Sequence, residues 1–278
     1  MNITRNNILE GKHQKPILLD FGFKPTQQQK PIVVIAHGFK GFKDWGHFNK
    51  VMEYFIENNF AFVKFNFSHN GGSPEQPIDF PDLEAFGNNN YTKELDDLKT
   101  IVNWIVETDS LPTQEVNKNQ IYLIGHSRGG GISIIGASED KRIKKLVTWA
   151  AVSDFLSRLP QDLTTWKTDG VLYVENTRTH QQMPMYYQFV EDNLNNKERL
   201  NIRKSAEKLN IPHLIIHGTN DEVVHVTEAH NLKKWNLKSE LFLLEGGTHT
   251  FGAKHPFNEI DMPNDVQLAL RKTLAFLR

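Results

Sequence analysis

Ile121-Tyr122-Leu123-Ile124-Gly125-His126-Ser127-Arg128-Gly129-Gly130-Gly131-Ile132 is the stretch whose reading decides the fold. Its first four residues form an apolar run of strand character. A G-x-S-x-G pattern follows directly, and a helix-like run comes after it, which is the context that gives that pattern meaning. A serine at the tip of so sharp a turn occupies a strained backbone conformation. The positions two before and two after it are crowded, and residues without a Cβ fit there best. The turn exposes the Ser127 hydroxyl at the amino end of a helix, where developing negative charge is favoured.

Outward from this turn, short apolar runs that stop at glycine or at polar turn residues recur along the chain. They are Ile17–Phe23, Ile32–Ala36, Ala61–Phe67, Leu146–Val152, His213–Ile216 and Leu241–Leu244. Near-continuous apolar runs of this length read as strands buried on both faces. Ile17–Phe23 is expected at the amino-terminal edge. Between the runs, Phe48, Val51, Met52, Phe55 and Ile56 share one helical face, as do Leu95, Leu98, Ile101, Val102 and Ile105. Asp265–Leu277 gives a closing helix. Alternating β and α segments predict an α/β domain over residues 1–278, with about seven strands in a mainly parallel, doubly wound sheet. From 153 to 209 the rhythm fails and no clear strand is legible. A structureless loop of that length is unusual, so the interval is expected to be a helical cap inserted over the carboxyl ends of the strands.

The chain has 278 residues, 32 basic against 33 acidic side chains, and no cysteine. Disulfides, thiolate zinc sites, iron–sulfur clusters and a cysteine nucleophile are excluded. A net charge of −1 argues against nucleic acid as a partner, because that binding rests on neutralising phosphates. The amino-terminal residues lack the apolar core of a signal peptide, and no apolar run approaches the roughly 18 residues of a membrane span. The cytoplasm is the expected location. There is no H-E-x-x-H, and no phosphate- or dinucleotide-binding glycine pattern, so neither metal nor cofactor is expected.

A serine hydroxyl needs a base and an orienting carboxylate to act as a nucleophile. The chain has twelve histidines, so position must choose among them. In such sheets the active site lies beyond the carboxyl ends of the strands. His249 stands there, after Leu241–Leu244 and the turn Glu245-Gly246-Gly247-Thr248. His37 and His217 each precede a glycine and read as turn supports, while His126 lies inside the turn itself. Asp221, in the loop after His213–Ile216, is the preferred acid over its neighbour Glu222 and over Asp154. Acyl transfer also needs donors aimed at the tetrahedral oxygen. The Arg128 N–H is one by position, and the Phe39 N–H, in the sharp turn after Ile32–Ala36, is assigned as the second.

These segments resemble the α/β-hydrolase superfamily, in particular its small esterases and dipeptidyl-peptidase-like hydrolases. The resemblance rests on His37-Gly38-Phe39, Gly125 to Gly130, His217 to Val224, and Gly246-Gly247-Thr248-His249-Thr250-Phe251, and it spans nearly the whole chain. It implies the α/β-hydrolase fold, with Ser127 as nucleophile, Asp221 as acid and His249 as base, in the chain order typical of the superfamily. It implies Phe39 and Arg128 as oxyanion donors. The sequence departs from that pattern at Ser68-His69-Asn70-Gly71-Gly72-Ser73, at Arg128 and at His225. Arg128 is expected to pair with a nearby acid rather than to charge the acyl pocket.

The expected activity is hydrolysis of esters of small to medium acyl or aromatic acids through an acyl-enzyme. Met185, Tyr186 and Tyr187, in the aromatic-rich interval, are the candidate substrate-pocket residues. A peptidase reading would use Glu175, Glu191 or Asp192 to hold a free amino terminus. A third reading, a ligand- or partner-binding protein without turnover, sits poorly with a complete set of Ser, Asp and His.

Overall fold

The structure, a computed structural model, describes residues 1–278. In chain order it begins with β1 (Asn2–Leu9), β2 (Ile17–Phe23), β3 (Lys30–Ala36), α1 (Phe48–Glu57), β4 (Ala61–Asn66), α2 (Leu83–Gly87) and α3 (Tyr91–Glu107). The elbow segment contributes β5 (Val116–His126) and α4 (Arg128–Glu139), followed by β6 (Ile143–Trp149). Next come a 3₁₀ turn (Leu156–Arg158), α5 (Thr164–Asp169), β7 (Val171–Asn176), β8 (Gln181–Tyr186), α6 (Gln188–Asn195) and α7 (Ile202–Lys208). The chain closes with β9 (His213–Gly218), α8 (Thr227–Trp235), β10 (Glu240–Leu244) and α9 (Asn264–Leu277).

Eight strands form one sheet in the order β1-β2-β4-β3-β5-β6-β9-β10. Pairing is antiparallel from β1 to β2 and from β2 to β4, and parallel everywhere else. This is the α/β-hydrolase fold. Side chains alternate between two apolar cores, as the strand period of two requires. Ile32 and Val34 of β3 face the core that includes α3 and α4, and Val33 and Ile35 face the one that includes α1 and α9. The expected helix faces are buried on α1 and α3. Asn90 caps α3 by accepting from the Lys93 N–H at 2.9 Å, and so satisfies one orphan donor of the first turn.

Two expectations change. Ile17–Phe23 is not the edge, because β1 covers it with a register shift between Thr4 and Asn7. Most of β1 is exposed, so it carries polar residues and gives no apolar run. The interval 153–209 holds helices, as expected, but also an antiparallel hairpin, β7–β8, separate from the main sheet. Pro184 disguises β8. In a two-stranded ribbon each strand has a free edge, and a residue without an N–H is tolerated there.

A buried charge network ties the loop after β3 to the sheet. Lys64 Nζ of β4 donates to Asp20 Oδ2 of β2 at 2.7 Å, Lys43 Nζ reaches Asp20 Oδ1 at 2.8 Å, and both lysines contact Asp44. Lys43, Lys64 and Asp20 are almost wholly buried, so each charge depends on its partners. The network anchors the loop that carries Phe39.

Candidate active site

Ser127 sits between β5 and α4 with φ 56° and ψ −121°, the strained turn that the glycine spacing implies. The crowding is backbone crowding. A Cβ on Gly125 would lie 2.5 Å from the Gly129 carbonyl oxygen, and one on Gly129 would lie 2.4 Å from that of His37. The Ser127 N–H donates to Trp149 O at 2.9 Å, and its carbonyl accepts from Gly130 and Val152. The nucleophile candidate is therefore held by three elements at once.

His249 Nε2 lies 3.0 Å from Ser127 Oγ, and His249 Nδ1 lies 2.8 Å from Asp221 Oδ2. With Asp221 ionised, Nδ1 carries the proton and donates to it, which leaves Nε2 to accept from the serine hydroxyl. Asp221 Oδ1 accepts from the N–H groups of Val223 and Val224 at 2.9 and 2.8 Å. Burial pushes the Asp221 carboxyl up. Hydrogen bonds from His217 and His249, the nearby His249 charge and the Val224 N–H outweigh burial and hold it far below the usual range. The rivals stand apart. Asp154 caps a turn by accepting from Leu156 and Ser157, and Glu222 is exposed.

The other histidines support the site from behind. His37 Nδ1 donates to Gly38 O at 2.9 Å, and its Nε2 accepts from the Phe67 N–H at 3.2 Å. The Gly41 N–H also donates to Gly38 O. A trans peptide sets its carbonyl and the next N–H in opposite directions, so fixing Gly38 O fixes the Phe39 N–H. That N–H donates to no group of the protein. The Arg128 N–H opens α4, where no intrahelical acceptor exists for it. Gly38 packs directly on Ser127, since a Cβ there would lie 2.9 Å from that of the serine. His126 Nε2 donates to His249 O at 3.0 Å and so positions the backbone of His249. Burial, aided by the His249 charge, holds His126 down to about 3, and burial likewise holds His37 down to about 4.

Two cavities meet at Ser127. One, of about 300 Å³, is mainly apolar and is lined by residues such as Phe39, Val152, Phe155, Trp166, Leu172 and Met185. The other, of about 270 Å³, is lined mainly by polar residues, among them His249, His126, Lys40, Asn176, Arg178 and His255. Of the three cap residues named from sequence, only Met185 reaches a cavity. The Tyr186 ring lies over Gly87, where a Cβ would come within 2.7 Å of it, and its hydroxyl donates to Glu84 at 2.5 Å. Tyr187 packs edge-on to Trp166 at 6.4 Å between ring centres.

Arg128 does pair with an acid, but it also lines the apolar cavity, so the expectation that it stays out of that pocket is corrected. Its Nη1 donates to Glu94 Oε1 at 3.3 Å, and its guanidinium lies 4.1 Å from the Phe39 ring centre and 5.1 Å from that of Tyr91. Glu175, Glu191 and Asp192 line neither cavity. The polar cavity went unseen in the sequence because its residues come from four separate loops and share no spacing.

The BD-FAE family model matches residues 19–236. Ferulic-acid-bound Est1E from Butyrivibrio proteoclasticus superposes with a TM-score of 0.74 at 18% identity, covering 98% of this chain and 97% of that one. The α/β hydrolase GrgF from Penicillium sp. sh18 superposes with a TM-score of 0.70, also at 18% identity, covering 100% and 98%. In sequence, the chain is 28% identical over 153 residues to a monoglyceride lipase homolog of Monkeypox virus, covering 46% of this chain and 55% of that protein. It is 24% identical over 152 residues to the quorum-quenching protein AidA of Acinetobacter baumannii (strain MDR-ZJ06), covering 54% and 45%. The chain thus spans about half the length of these sequence relatives. With the match running from β2 to the end of α8, the chain belongs to the BD-FAE family of α/β-hydrolases.

Proposed function

We propose that this chain hydrolyses carboxylic esters through an acyl-enzyme on Ser127. The observation that carries this reading is the unbroken chain Asp221 Oδ2, His249 Nδ1, His249 Nε2, Ser127 Oγ, with both links at 3.0 Å or less. Ser127 Oγ attacks the ester carbonyl while His249 Nε2 takes its proton. The carbonyl oxygen becomes an oxyanion that accepts from the N–H groups of Phe39 and Arg128. As the tetrahedral intermediate collapses, the ester C–O bond breaks and His249 returns the proton to the departing alkoxide. Water, deprotonated by His249, then releases the acid and restores the serine.

The two cavities divide between the halves of the ester. The departing oxygen must lie beside His249, because His249 protonates it. His249 lines the polar cavity and is absent from the apolar one. The alcohol half therefore belongs in the polar cavity and the acyl half in the apolar one. A volume of about 300 Å³ at the lower end of ligand-site sizes suits a small to medium acyl or aromatic group. The ferulic acid bound to the structural relative Est1E is an aromatic acid of that size class. Location in the cytoplasm, and the treatment of 1–278 as one domain with 153–209 inserted, belong to the same reading.

A screen of p-nitrophenyl esters of graded acyl length, beside aminoacyl and dipeptidyl p-nitroanilides, tests the proposal. Turnover of short acyl and aryl esters, lost in Ser127→Ala, is expected. Faster cleavage of the anilides would replace the esterase reading with a peptidase one.

A further inference from the structure

The polar cavity offers hydrogen-bond donors and no carboxylate. None of its fifteen lining residues is Asp or Glu. Lys40, from the loop after β3, enters from one wall. Its ammonium donates to Glu175 O at 3.0 Å and makes no ion pair. Burial lowers its pKa and the nearby Glu175 charge opposes that shift; an anion in the cavity would favour the charged form further. Arg178 also lines the cavity, from the turn between β7 and β8. It pairs with Asp79, which lies outside the lining.

Two further donors are set by their neighbours. Asn176 ends β7 and is 6% exposed. Its Oδ1 accepts from the Arg178 N–H at 3.3 Å, and its Nδ2 has no acceptor. A buried donor left without a partner is costly, and an acceptor on a ligand would satisfy it. His255 Nδ1 accepts from the Gly46 N–H at 2.9 Å, which puts its own proton on Nε2 as another donor.

We infer that the alcohol half of the substrate carries an anionic group, a carboxylate or a phosphate, held by Lys40, Asn176 and Arg178. The inference rests on the esterase reading for its placement of the alcohol, and it adds the charge of that alcohol. A lysine that makes no ion pair, beside an amide donor that lacks an acceptor, suits oxygen atoms that only accept. A neutral polyol would bring hydroxyl protons that find no carboxylate here. The donors come from the loop after β3 on one side and the hairpin on the other, so the bound anion would also bridge cap and sheet beside Ser127.

The test uses butanoyl esters of ethylene glycol, glycolic acid and 2-hydroxyethyl phosphate, which share the acyl group and the two-carbon alcohol. At least one anionic ester should exceed the glycol ester in kcat/KM by about tenfold, the worth of one charge-assisted hydrogen bond. In Lys40→Gln and in Asn176→Ala that ratio should fall towards one, and added salt should lower it in the wild type. The carboxylate and phosphate arms identify which anion the site takes. Ser127-dependent turnover with no preference for either anion would overturn the inference and leave the esterase reading standing.

Binding provides a readout independent of turnover. Glycolate or 2-hydroxyethyl phosphate should bind the full chain by calorimetry more tightly than ethylene glycol, and less tightly in Lys40→Gln. Such binding without turnover of any ester would refute the esterase reading alone. No anion binding would refute the site.

Discussion

Asp221 is surrounded by groups that favour its charge. Two backbone N–H groups, His217 and His249 all favour its ionised form. Replacing it by Asn keeps the shape but offers His249 Nδ1 a donor where it needs an acceptor, which favours the wrong tautomer. Asp221→Asn should lower kcat by about 10⁴-fold, with an unchanged circular dichroism spectrum. Equal damage from Asp154→Asn would contradict the assignment. The residues of this chain were legible in the sequence because each sits at a fixed offset from a strand end. Lys40, Asn176 and Arg178 were not, because nothing local distinguishes them from loop polarity. Lys40 does leave a structural mark, a φ of 54° that a non-glycine residue seldom adopts.

At the scale of elements, the β7–β8 hairpin is the component the sequence hid, and it bears on both cavities. Met185 lines the apolar cavity, its carbonyl accepts from Trp166 Nε1 at 2.7 Å, and the hairpin turn delivers Arg178 to the other cavity. Its neighbours in sequence do different work, as alternation along a strand requires. Met185→Ala should enlarge the acyl cavity and move the preferred chain length upward. Tyr186→Ala should instead reduce kcat/KM uniformly across acyl lengths, in step with a lower melting temperature, because Tyr186 holds the hairpin onto α2 through Gly87 and Glu84. A shifted length optimum in a stable Tyr186→Ala would contradict this division. The main strands were readable because burial on both faces leaves continuous apolar runs. The hairpin alternates at most, β8 contains Pro184, and so neither strand matched that signal.

Across the whole molecule, two carboxylates give opposite pH dependences to stability. Asp221 has a folded pKa below its unfolded value. Its contribution is present above about pH 4 and is lost as pH falls below that. Asp97, on α3, accepts from the Ser68 N–H at 2.7 Å but leaves Oδ1 without a partner, and burial raises it to about 7. The unfolded chain releases that proton near pH 4, so the folded state loses relative stability as pH rises from about 4 to 7. Asp97→Asn cannot ionise. Its melting temperature relative to wild type should rise steadily over that range, and parallel curves for the two proteins would refute the role given to Asp97. The mainly parallel sheet followed from alternation of β and α, whereas its strand order and β1 required the structure, the latter because an exposed edge needs no apolar signature.

The proposed activity requires Ser127 to be an activated nucleophile. Intact-mass spectrometry after reaction with a fluorophosphonate, which phosphonylates such a serine, measures that directly. The wild type should gain one adduct, mapped to the peptide containing Ser127, and Ser127→Ala should gain none. An adduct on the mutant, or on a different serine of the wild type, would contradict the account.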